Sequence, residues 1–151
     1  GWSIGPHIAL ALDGSGAVHI VGDVADYIPN YQVTTVFTSQ DNADNERDMT
    51  ESFLGAFSQG VADFNATMVD GENGEDARDE MVRLIHQYVY TDRPYEAAAP
   101  SIINGSMRLT PNAALNVASL RDQLDWFKAE DLVDGDIAFE TVVDTSYVET
   151  V

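Results

Sequence analysis

The chain has no cysteine. Disulfides, thiolate metal sites and cysteine nucleophiles are excluded together. Positive charge is scarce: seven lysines and arginines stand against 26 acidic residues, a formal net charge of −19. Lys128 is the only lysine. Phosphate backbones are bound by clustered Lys and Arg, so nucleic acid is excluded as a partner. An anionic membrane surface is disfavoured for the same reason. No stretch approaches the roughly 18 continuous apolar residues of a membrane span. No charged leader precedes an apolar run after Gly1, so no signal peptide is read within the chain. That alone does not assign the protein to the cytoplasm.

What remains is a chain of one domain's length, 151 residues, of which 44% are hydrophobic. A chain of about this size buries on the order of two thirds of its unfolded surface, enough for one core. The acidic surface keeps molecules apart, at some cost to the compact state at low salt. It fits an acidic secreted protein, or one from a salty habitat where ions screen the repulsion.

Periodicity divides the chain. Ile8 to Leu12 reads as the end of a short helix, stopped by the turn cluster Asp13-Gly14-Ser15-Gly16. Ala17 to Val21 and Gln32 to Thr38 are β-branched or aromatic and predict strands. From about Asn42 to Met68 the period becomes helical. Met49, Phe53, Phe57, Val61, Phe64 and Met68 fall on one face, expected to be core. Gly55 and Gly60 interrupt that helix, and close packing against a neighbour is the expected compensation. Further helices are predicted over about Glu75–Tyr90, through Ala97-Ala98-Ala99 up to Pro100, and from an Asn116 cap through Val117, Leu120, Leu124 and Phe127. Phe139–Val143 and Tyr147-Val148 suggest two terminal helical turns, the second capped by Asp144. A strand as apolar as Val33 to Phe37 belongs inside a sheet, and two strands alone make a poor one. The expected class is therefore α/β, helix-rich, with few strands of its own.

Motifs for chemistry are weak. His7, His19 and His86 lack metal-ligand spacing, so no metal is expected. Asp70 to Asp76 does not fit a calcium loop, because neither Gly71 nor Gly74 leaves an acid at the first position. It reads as a solvated acidic loop at a helix start. No nucleophile elbow or phosphate loop is present. The sequons Asn65-Ala66-Thr67 and Asn104-Gly105-Ser106 read as chance matches. No cofactor and no catalytic residue are expected.

Four stretches carry a resemblance. They are Trp2 to Leu12, Pro29 to Ser39, Glu51 to Asp63, and the terminal set Gln123–Lys128, Asp131–Val133 and Val143–Glu149. In order and spacing they resemble the C-terminal half of the periplasmic solute-binding proteins of ABC importers. The branch is the one for nitrate, sulfonates, taurine and thiamine-pyrimidine precursors. Gly5 departs from the family pattern, which has Glu there.

The resemblance implies the helix-rich C-terminal portion of a two-lobed fold, without the N-terminal half. Residues 1–28 would be a remnant of the second lobe, 29–38 a lobe-crossing hinge strand, and 39–151 the helical end of the first lobe. It further implies a ligand cleft between hinged lobes, apolar with a few placed polar groups. Asn30 and Gln32 would offer hydrogen bonds, Tyr31 and Trp2 would stack on a flat ligand, and His7 would add a contact. The implied function is non-catalytic capture of a small organic ion or heterocycle, presented to an ABC permease from the periplasm or another extracytoplasmic space. Two alternatives stay open. One is an assembly module that self-associates through the exposed edge of Val33 to Phe37. The other is an enzyme of thiamine-pyrimidine synthesis on the same fold, with His7 or an acid as base.

Overall fold

The computed structural model describes every residue except Trp2 and Ile4. Over half of the described residues are helical and none lies in a strand. In chain order the helices are α1 (Pro6–Gly14), α2 (Val24–Tyr27), α3 (Gln40–Asn45), α4 (Arg47–Phe64), α5 (Gly74–His86), α6 (Tyr95–Asn104), α7 (Val117–Ala129) and α8 (Phe139–Val142). A π-helical turn, Asn65–Val69, follows α4, and a 3-10 turn spans Pro111–Ala113. No helix among the described residues is long and apolar enough to cross a membrane.

The α/β expectation is thereby corrected. The only β feature among the described residues is an isolated parallel bridge between Leu115 and Thr150. Ala17–Val21 and Gln32–Thr38 have strand-like side chains but no ladder. The physical reason is that β propensity describes fit to a pleated, half-buried surface, and here no neighbouring strand supplies that surface. The hinge strand expected over 29–38 is absent on the same grounds.

The chain forms two units. The first comprises residues 1–22 and 62–109. Its core is Met68, Val82, Ala98 and Ile102, with Phe64, Met81, Ile85, Tyr90 and Tyr95 packed around them. Val82 is 1% exposed, where α5 meets α6, and Ala98 lets the two backbones approach closely. The sequence reading stopped a helix at Pro100, but α6 runs through it to Asn104. Pro100 lies in the second turn, where its missing N–H forgoes one intrahelical bond without ending the helix.

The π turn is fastened from one residue. Asn65 is 6% exposed. Its Nδ2 donates to the Leu109 carbonyl at 2.8 Å, and its Oδ1 accepts from the Leu109 N–H at 3.0 Å. The Asp70 N–H donates to the Asn65 carbonyl at 2.9 Å, closing the wider turn. Both side-chain groups of Asn65 are engaged, so the first sequon is buried in the folded chain.

The second unit comprises residues 23–61 and 110–151. Val61, Ala114 and Phe139 are buried there. Arg47 stacks over the Tyr147 ring at 4.3 Å, and Tyr147 donates to the Ala43 carbonyl at 2.7 Å. The helix expected over 42–68 is broken at Glu46, where the backbone leaves the helical region. Its apolar face is only partly core. Val61 and Met68 are buried, whereas Met49, Phe53 and Phe57 are exposed, Phe53 at 58%. The compensation expected for Gly55 and Gly60 is also missing: a Cβ at either position would meet nothing within 4 Å. Asp144 caps a turn, its Oδ1 accepting from the Ser146 N–H, and Tyr147-Val148 is not helical.

Candidate functional site

Within the second unit, one stretch without regular structure is held by long-range hydrogen bonds. Pro29 ends the short α2 segment, and Asn30 takes a left-handed conformation at φ 61°. Such a φ is tolerated by Asn more readily than by most residues. The chain then runs past the start of α7. There Asn116 caps the helix, its Oδ1 accepting from the Ser119 N–H at 3.0 Å. Its Nδ2 donates to the Asn30 carbonyl at 2.8 Å.

Gln32 is bound on four sides. Its N–H donates to Ser119 Oγ at 2.9 Å, and its carbonyl accepts from Gln123 Nε2 at 3.0 Å. Its Oε1 accepts from the Asn116 N–H at 2.9 Å, and its Nε2 donates to the Thr34 carbonyl at 2.8 Å. Asn116, Ser119 and Gln123 lie three or four residues apart, so one face of α7 presents all three. The result is a polar clasp. It satisfies the backbone of Gln32 where no ladder does.

The clasp brings together three of the residues proposed from sequence. Asn30, Tyr31 and Gln32 sit on it, with Tyr31 41% exposed beside the fixed backbone. The Gln32 carboxamide is committed to internal partners at both ends, whereas Tyr31 is exposed. His7 belongs to the first unit, half-buried, with Nε2 3.1 Å from the Tyr90 hydroxyl and its ring edge-on to that tyrosine. Trp2 lies outside the described residues.

Sequence reasoning identified Asn116 as a cap but missed the clasp. Ser119 is legible only as a polar position on a helix, and Gln123 only as the start of one of the family-like stretches. Nothing local signals a hydrogen bond to a residue 87 or 91 positions away.

Two other polar clusters lie in the first unit. Tyr95 donates to Asp79 Oδ1 at 2.5 Å, and Arg83 pairs with Asp79 at 2.7 Å while lying over the Tyr95 ring. The Tyr95 hydroxyl, then Arg83, hold the Asp79 carboxyl below its ordinary value. The same bond to Asp79 raises the Tyr95 hydroxyl. The π turn and the start of α5 enclose a recess of about 220 Å³, lined in part by Thr67, Asp70, Glu75 and Arg78. Asp70 is taken by an ion pair with Arg108. The Arg78 Nε is buried without a partner among the described residues. Among those residues no three His, Asp or Glu side chains converge as metal ligands.

Comparison with family models, curated proteins and solved structures found no match to this chain.

Proposed function

We propose that this chain serves solute capture. It binds a small organic ion or heterocycle reversibly, does no chemistry on it, and hands it to an ABC permease. On this reading it works in the periplasm or another extracytoplasmic space. The support begins with the four ordered stretches that resemble the solute-binding proteins of nitrate, sulfonate, taurine and pyrimidine-precursor importers.

One structural observation carries the reading further. Among the described residues of the Pro29–Ser39 stretch, every long-range hydrogen bond falls on Asn30 or Gln32. This is the part that the resemblance assigns to the ligand. A site built from a fixed backbone loses little conformational freedom on binding, which is how a small contact area becomes useful affinity. Tyr31 then offers a flat amphipathic ring for stacking on a heterocycle, and its hydroxyl can bond an anion.

Isothermal titration of the protein, and of the full reading frame that encodes it, against nitrate, taurine and an aminopyrimidine tests the proposal. Binding of one of the three is expected. Tyr31→Ala should then weaken that binding about tenfold or more, the equivalent of one lost stacking contact. Its helical circular dichroism should not change. If neither protein binds any of the three, the reading is wrong.

A further inference from the structure

The stretch after the clasp has properties that solute capture does not use. Tyr27 to Gln40 carries no charge, the longest such run in a chain of net charge −19. Within it, Val33, Val36 and Phe37 are exposed, Phe37 at 91%. Among the described residues the backbone of residues 33–38 takes part in no ladder. Both ends are nevertheless anchored. Gln32 is held by α7, Thr38 Oγ1 accepts from Asn42 Nδ2 at 2.9 Å, and Ser39 caps α3. The span between is a largely β-branched segment, tied down at each end. Its backbone pairs with no strand among the described residues, and its Thr34 carbonyl accepts from Gln32 Nε2.

Proteins protect such edges with lysine, inward-pointing charge, proline or a bulge. Here Val33 to Thr38 contains neither charge nor proline. No sheet stands behind this segment among the described residues, but an unguarded, anchored β-branched run is suited to pair with another extended segment.

We propose that residues 33–37 pair with the same residues of a second copy of this chain, antiparallel about a two-fold axis at Thr35. Charge selects this occupant. A different partner drawn to so acidic a protein would meet carboxylates, and this run has none to offer it. A second copy meets the run with an equally uncharged one, which keeps carboxylates out of the seam.

The side chains are also self-complementary. In that register Val33 lies opposite Phe37 of the second copy, twice over, and Thr34 opposite Val36. Thr35 faces its own copy. Aromatic–β-branched and Thr–Thr pairs are among the favourable cross-strand combinations. A two-fold pairing is closed, so association stops at the dimer.

Light scattering after size exclusion, at 0.1 M and 1 M NaCl, is the test. The remaining charge of each copy opposes association, and raising salt over that range shortens the screening length from about 10 Å to about 3 Å. A dimer is expected, at least about tenfold tighter in the higher salt. Thr35→Pro removes an N–H from the centre of the pairing and should weaken the dimer about tenfold or more. Phe37→Asp sets a carboxylate against Val33 and should do the same. Neither position is helical, so helical circular dichroism should hold in both variants. Hydrogen exchange of amides 33–37 should slow only in the dimer. A monomer in both salts at millimolar concentration overturns the proposal. So does a dimer that both variants leave intact, because the contact then lies elsewhere.

Discussion

Asn65→Ala offers the sharpest check on how the first unit is held. The side chain makes two hydrogen bonds to the backbone of Leu109, 44 residues away, from a position 6% exposed. Each neutral bond contributes about 1 kcal/mol net, and a buried group left without a partner costs about 1–3 kcal/mol. Leu109 itself is 38% exposed, so water reaches part of the vacated backbone and the lower end applies. The expected loss is about 2–3 kcal/mol. For a chain of this length that is roughly 4–12 °C in Tm. Urea unfolding followed at 222 nm measures it directly. Asn65→Asp separates bonding from size. It keeps the acceptor for the Leu109 N–H but sets a carboxylate against the Leu109 carbonyl, so at neutral pH it should destabilise at least as much as alanine. Asn104→Ala, in the exposed second sequon at the end of α6, should stay within about 0.5 kcal/mol of the parent. A loss below about 0.5 kcal/mol for Asn65→Ala would refute the reasoning, since a two-point buried bond cannot be that cheap to remove.

Three further outcomes are expected. Gly60→Ala should raise stability by about 0.5–1 kcal/mol, since the new methyl meets nothing and alanine loses less freedom in a helix; a lower urea midpoint would contradict the open surroundings of α4. Asn116→Ala removes both the α7 cap and the bond to Asn30, about 2 kcal/mol together, whereas Asn116→Ser keeps the cap and should lose about half of that; equal losses would mean the cap contributes nothing.

The third concerns pH. Asp79 is held down by the Tyr95 hydroxyl and Arg83, Glu140 by its own backbone N–H and Arg121, and Asp144 by Ser146. Their folded values lie below the ordinary 3.8 of Asp and 4.5 of Glu, so their stabilisation is complete above those values. It is lost as pH falls through the folded values. Opposing this, net repulsion fades as pH drops from 7 toward the pI near 4.1. Tm should therefore hold or rise between pH 7 and about 5 and fall below about 4. In 1 M salt the rise should vanish. A Tm that falls steadily from pH 7 would show that repulsion plays no part.

The resemblance and the structure bear on the same residues from different sides. The resemblance would place Asn30, Tyr31 and Gln32 beside a ligand. The clasp fixes the backbone of that stretch, with the Gln32 carboxamide bonded internally and Tyr31 exposed. His7 and Tyr90 pair with each other within the first unit.

Composition alone settled the absence of disulfide chemistry and the acidic surface, because both follow from counting residues. Local pattern located the longer helices α4, α5 and α7 in outline, since a 3.6-residue apolar period and a cap such as Asn116 act within a few turns of backbone. Those same patterns misread Gln32–Thr38 and the exposed half of the α4 stripe. A strand needs a neighbour to bond and a core face needs something to cover it, and neither requirement is written in the segment itself. The two-point grip of Asn65 on Leu109 and the clasp of α7 on Gln32 were likewise decided only by folding. Hydrogen bonds spanning 44 to 91 residues have no local signature; they exist only once the chain has closed on itself.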